Sequence, residues 1–159
     1  MIILKQADEI EKIRASNAIV AEILLELKER VKPGVTTLEL NRLSETLARK
    51  RMAKPAFRGY RGYPFALCTS VNSEVVHGMP SERVLVEGDI VSLDFGIYHK
   101  GYYGDAAITV PVGEVSDVAR RLIEVTGQCL YDGIEKASAG NRLGDISAAV
   151  QARVEENGF

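Results

Sequence analysis

The chain is poor in the residues that usually staple small proteins or hold metals in compact motifs. It has only two cysteines and two histidines among 159 residues. Cys68 and Cys129 stand far apart and show no metal-binding or disulfide-framework spacing, so a reduced, cytoplasmic protein is expected. Long hydrophobic runs are missing as well. The most apolar stretch, residues 18–27, is interrupted by Glu22 and Glu26 and is far too short to span a bilayer, so no membrane partner is expected. The opening Met1-Ile-Ile-Leu-Lys-Gln has no basic segment ahead of a long apolar core, which argues against a signal peptide. Neither charge sign dominates. Twenty basic residues against twenty-two acidic ones give a net charge of −2, which favours neither direct nucleic-acid binding nor an anionic membrane. There is no low-complexity tract or linker. What remains is an ordinary globular balance, 46% hydrophobic and 26% charged, in a chain long enough for one sizeable core.

Hydrophobic spacing predicts the elements. Ile10, Ile13, Val20, Ile23, Leu24 and Leu27 recur at helical intervals over about 8–30, and Pro33-Gly34 ends that helix. Thr36 and Glu39 form a capping-box pattern ahead of Leu40, Leu43 and Leu47, in a second helix that stops before Pro55. Residues 65–71 and 74–77 read as short strands around Asn72-Ser73, and residues 90–110 as a β-hairpin. A third helix is expected over about 116–136, with Val118, Leu122, Val125, Cys129 and Leu130 inside. A fourth is expected over about 143–156, with Gly158 as its C-cap. The order is helix pair, strands, helix pair: an α+β arrangement whose second helix pair suggests a further helix-helix-sheet unit.

The hairpin carries Asp94 and Asp105, eleven residues apart. With His99-Lys100 as a two-residue turn, the two aspartates face each other, with Cβ atoms about 4.5–5.5 Å apart. Carboxylates that close repel unless they share a proton or a cation. Metal binding is therefore one reading. A solvated surface pair, a turn at Gly104-Asp105, or a one-residue register change or bulge at Gly101 that separates the two remain alternatives. Asp94-Phe95-Gly96 matches the magnesium-binding tripeptide of protein kinases, but no glycine-rich or catalytic loop precedes it.

Residues 57–80 form the other concentrated segment. Tyr60 and Tyr63 lie in a glycine-rich loop, where aromatic rings either anchor the loop or line a pocket. His77 stands between two valines and Gly78; it is either a hydrogen-bonded structural residue or a group suited to proton transfer or hydrogen bonding to a reacting amide. His99 falls at the hairpin tip and reads as an exposed turn residue.

Taken together, these segments closely resemble the type I methionine aminopeptidases of peptidase family M24. The matching pieces run nearly end to end. They include Glu11-Lys12-Ile13-Arg14, Lys32-Pro33-Gly34-Val35-Thr36-Thr37, Gly59-Tyr60, Tyr63-Pro64, and Cys68-Thr-Ser-Val-Asn72. They continue through Val76-His77-Gly78-Met79-Pro80, Gly88-Asp89-Ile90-Val91, Asp94-Phe95-Gly96, Tyr102-Tyr-Gly-Asp-Ala106 and Gly140-Asn-Arg-Leu-Gly-Asp-Ile146. The resemblance implies the pita-bread fold, α+β with an antiparallel sheet and two helix pairs. The 159 residues would be its N-terminal portion: a single incomplete domain with one half over about 8–113 and the helices of the second over about 116–157. It implies removal of the N-terminal methionine from peptides and nascent chains by two divalent metal ions, cobalt, manganese, iron or zinc. It leaves the ribosome as a candidate contact and implies a monomeric full-length form.

Residue by residue, Asp94 resembles the family's chelating carboxylate and Asp105 the one that bridges two metals. His77 resembles the histidine that contacts substrate near the scissile bond. Phe57, Tyr60, Tyr63 and Cys68 resemble the lining of the methionine pocket. That pattern fits methionine specificity better than the related aminopeptidase P and prolidase. The family's remaining ligands, one histidine and two glutamates, and its general-base glutamate fall beyond the position of Phe159. The chain is therefore expected to be a fragment that is weakly active or inactive alone. A non-catalytic peptide-binding scaffold, or a half-domain that pairs with a partner chain, is the competing expectation.

Overall fold

The computed structural model describes residues 3–159. They form two compact units, one ending at Glu114 and the other spanning Val115–Phe159.

In the first unit, helix α1 (Ala7–Lys28) begins at Gln6, whose backbone N–H donates to Glu9 Oε2 at 2.8 Å. Helix α2 (Thr37–Lys50) starts at Thr36, whose hydroxyl accepts from the Glu39 N–H at 3.1 Å while Glu39 Oε2 accepts from the Thr36 N–H at 2.7 Å. The sheet has four antiparallel strands. Strand β3 (Ile90–His99) is central, with β4 (Tyr102–Pro111) on one side and both β2 (Leu67–Val71) and the two-residue β1 (Lys54–Pro55) on the other. Strand β1 has no signal in the sequence: two residues around a proline carry no periodicity, and only pairing with Ile97 and Tyr98 makes them a strand.

Alternation along β3 sorts the sheet into two faces. Val91, Leu93, Phe95 and Ile97 are completely buried and pack with Leu67 and Val71 of β2 against Val20, Ile23, Leu24 and Leu27 of α1 and Leu40 and Leu47 of α2. The intervening Ser92, Asp94, Gly96 and Tyr98 occupy the other face. Helix α1 approaches β4 so closely that a Cβ on Gly104 would lie 2.5 Å from the Ser16 carbonyl carbon. The buried Ser16 hydroxyl donates to the Tyr102 carbonyl at 3.2 Å. Arg51, after α2, forms ion pairs with Glu22 and Glu26 of α1.

Several expectations change here. The β3–β4 turn is Lys100-Gly101, not His99-Lys100. Both residues take positive φ, 48° and 93°, which is the geometry a tight hairpin demands and glycine supplies. His99 therefore pairs with Tyr102 inside the ladder and is buried, not an exposed turn residue; its Nδ1 lies 3.3 Å from the Met52 carbonyl oxygen. Residues 74–77 form no strand. Ile10, part of the helical spacing of α1, is 46% exposed.

The second unit is a helix hairpin, α3 (Asp117–Lys136) and α4 (Leu143–Glu156), the first capped by the Ser116 hydroxyl. Arg153 forks onto Asp132 at 2.6 and 3.1 Å, and Gly133 lets Ile146 and Val150 pack closely. Val125 and Cys129 are buried as expected, but Val118, Leu122 and Leu130 are exposed. Two helices alone bury only the narrow seam between them.

Candidate active site

The second sheet face carries the site. Asp94 faces Ala107 and Asp105 faces Gly96, so the aspartates are diagonal neighbours and not opposed ones. The shift from the expected register is two residues, and an even shift leaves both side chains on the same face. Diagonal positions lie about 7–8 Å apart at the backbone, room for a shared proton or an ion between the carboxylates. The residues directly opposite each aspartate are small.

Both carboxyl groups titrate above their ordinary value. Burial is the main cause for Asp94, joined by the negative charge of Asp105 and opposed by His77. Burial raises Asp105 too, while a hydrogen bond from Asp94 opposes the rise. The donor set suits a hard divalent cation, which would relieve both the repulsion and the lost hydration. Among the described residues no group of three or more His, Cys, Asp or Glu is placed to hold a metal ion, so the pair offers two donors by itself.

Neighbouring elements hold the pair in place. The backbone N–H of Asp105 donates to Asn17 Oδ1 of α1 at 3.2 Å. The Phe57 ring lies over Gly96, where a Cβ would be only 2.5 Å from Cε1. The buried Asn41 of α2 accepts from the N–H groups of Ala66 and Leu67 at 2.9 and 3.1 Å and so fixes the start of β2. Cys68 comes next along β2 and pairs with Asp94. Burial pushes its thiol up, with both aspartates adding to the rise, so the group stays neutral. The Tyr63 hydroxyl donates toward the carbonyls of Leu67, at 3.0 Å, and Gly78, at 3.1 Å. Its phenol is likewise raised, chiefly by burial.

His77 is exposed, with φ of 58° in the left-handed region. The next residue explains its placement. Gly78 bonds to β2 through its carbonyl, from the Thr69 N–H at 2.9 Å, and through its N–H, to the Ser70 hydroxyl at 3.1 Å. A Cβ there would meet the Thr69 carbonyl oxygen at 2.3 Å, so only glycine lets the loop lie this close.

Phe57, Tyr60, Tyr63, Cys68, His77, Asp94 and Asp105 thus line one cleft of about 440 Å³. Each residue that the family resemblance places in the site lines it. The eighth lining residue, Arg61, was missed, although it repeats the Arg-Gly-Tyr triplet begun at Arg58. Asn17 and Asn41 were missed too; a poor helix former inside each helix was the available signal.

Paired carboxylates, an imidazole and aromatic rings thus share one cleft beside this sheet face. Residues 11–159 match metallopeptidase family M24, and the chain belongs to that family, which implies divalent metal ions. A methionine aminopeptidase of Clostridium acetobutylicum is 51% identical over 160 residues, covering all of this chain and 64% of the relative. The crystal structure of the Thermotoga maritima methionine aminopeptidase superposes with a TM-score of 0.96 at 43% identity, over 99% of this chain and 64% of that one. The Rickettsia prowazekii methionine aminopeptidase gives 0.96 at 38% identity, over 98% and 63%. The fold is the α+β pita-bread arrangement, and the chain spans about 64% of the length of the curated relative it matches. No helix among the described residues is long and apolar enough to cross a membrane.

Proposed function

We propose that this chain carries the substrate-recognition side and two of the metal ligands of a methionine aminopeptidase, which removes N-terminal methionine from peptides and nascent chains in the cytoplasm. One observation carries the reading: the carboxylate pair, His77 and the apolar pocket residues all open into a single cleft. Asp94 would chelate one divalent ion and Asp105 would bridge two, drawn from cobalt, manganese, iron or zinc. Such ions, when bound, polarise a scissile carbonyl and lower the pKa of a water nucleophile.

The chain's own residues supply the rest. Phe57, Tyr60, Tyr63 and the neutral Cys68 present an apolar, polarisable wall that suits an unbranched thioether and offers no charge to exclude it. His77, at the edge of the same cleft, donates or accepts a hydrogen bond at the scissile amide and steadies charge that develops there. Two carboxylates alone are an incomplete ligand set, so the 159 residues by themselves are expected to bind metal weakly and hydrolyse little.

The test is release of methionine from a Met-Gly-Met peptide with added manganese or cobalt. It compares the 159 residues with a form spanning the length of the curated relatives. The long form should be active and metal-dependent, and Asp105→Asn in it should lower kcat/KM by at least about a thousandfold, roughly 4 kcal/mol. Full activity in Asp105→Asn would remove the bridging role.

A further inference from the structure

The segment after Phe57 repeats one triplet, Arg58-Gly59-Tyr60 and Arg61-Gly62-Tyr63. The two arginines have different surroundings. Arg58 is paired with Glu45 of α2 at 3.0 Å. Arg61 lines the cleft and forms no ion pair among the described residues; its guanidinium carbon lies 5.4 Å from the centre of the Tyr60 ring. Among the described residues it is the one lysine or arginine lining the cleft, beside Asp94 and Asp105.

Its position is built by the backbone. Residues Tyr60–Gly62 form a single tight turn in which Arg61 has φ 49° and ψ 30°, a left-handed conformation disfavoured for a residue with a Cβ. Gly59 and Gly62 beside it take φ of 85° and 84°. The turn is closed by the bond from the Gly59 N–H to the Tyr63 carbonyl at 2.7 Å and from the Tyr63 N–H to the Tyr60 carbonyl at 3.0 Å. Tyr63 is in turn tied to β2 and to Gly78 through its hydroxyl. The Arg61 side chain therefore leaves a braced turn and is further restrained by the Tyr60 ring.

Burial within the cleft gives it a direction. Cys68 is 4% exposed, and Asp94, Tyr63 and Phe57 are half-buried; these form the floor. Tyr60, at 64% exposed, and Arg61 form part of the rim. A substrate cleaved after its first residue places that residue on the floor and leads its remaining chain out across the rim. On that rim Arg61 is the cation that a residue downstream of the scissile bond would meet.

We propose that Arg61 is a specificity-determining residue that favours an acidic side chain downstream of the scissile bond in the peptide substrate. The proposal rests on the aminopeptidase reading above. An exposed guanidinium held against an aromatic ring has its charge available, and a carboxylate reaching it gains a charge-assisted hydrogen bond. Its partial solvation keeps the effect modest and sensitive to salt.

The experiment uses the enzyme in a form spanning the length of its curated relatives, with amidated Met-Gly-Xaa-Ala peptides in which Xaa is Asp, Gln or Lys. Amidation removes the terminal carboxylate that would otherwise compete for the cation. The wild-type kcat/KM ratio of the Asp to the Lys peptide should be about two to five at low salt and fall toward one as salt rises. Arg61→Gln should flatten the ratio, Arg61→Glu should invert it, and Arg61→Lys should keep it. Because the readout is a ratio within each variant, a common loss of activity leaves it unchanged. An Arg61→Glu enzyme with the wild-type ratio, or Arg61→Lys losing the preference as fully as Arg61→Gln, overturns the proposal. Failure of the underlying reading is separately visible: the wild type then turns over no methionine peptide of any charge, and the proposal falls with it.

Discussion

Strand β3 has two faces, and they have opposite chemistry. Val91, Leu93, Phe95 and Ile97 have no solvent exposure, whereas on the face of Ser92, Asp94, Gly96 and Tyr98 it is Asp94 that lines the candidate site and Gly96 that lies under the Phe57 ring. The first face gains stability from burial. The second gives some up, since it keeps two carboxylates partly desolvated and close together. One strand can do both because its side chains alternate strictly, so a rigid apolar layer lies directly behind the groups that must not move.

The largest break in this contrast comes from the apolar face. Phe95→Ala should cost about 3–5 kcal/mol of stability, read as a lower urea midpoint with an unchanged slope, and should lower activity only through unfolding. A smaller effect joins the faces. Gly78→Ala forces a Cβ toward the Thr69 carbonyl and should cost about 1–3 kcal/mol. It should also lower methionine-peptide turnover beyond what the unfolded fraction explains, because it displaces His77. A Gly78→Ala protein that keeps its melting temperature and its activity would show that the loop's close approach is unimportant.

The smallest effect has the opposite sign. Asp94 and Asp105 titrate higher in the folded protein than their ordinary 3.8, so without metal the folded state holds protons that the unfolded chain has released. Stability from this pair therefore falls as pH rises from about that value through the folded values, and it stays lower at neutral pH. Asp94→Asn should raise the metal-free melting temperature at neutral pH, with the gain closing below pH 3.8. Added manganese should stabilise the wild type and leave Asp94→Asn nearly unchanged. A melting temperature lower than wild type at neutral pH would contradict the desolvation argument.

Much of this was legible because local rules carried it. The capping box at Thr36 and Glu39, the strands through Asp94 and Asp105, and the fourth helix all follow from spacing and end signals. The observed hairpin register differs from the expected one by two residues, because the turn falls at Lys100-Gly101, where both residues take positive φ. The inner side of α3 was misjudged for a different reason. Helical spacing marks which residues are apolar, but not which of them a single neighbouring helix covers.

The sequence by itself determined the alternating and helical patterns, the glycines where the chain must turn or approach closely, and the residue types of the site. Those depend on neighbours a few positions away. Only the tertiary structure decided that the two aspartates are diagonal, that Phe57 covers Gly96, that Asn17 reaches the backbone of Asp105, and that Arg58 pairs with Glu45 of α2 while Arg61 lines the cleft. These contacts join residues far apart in the chain, and packing in three dimensions sets them.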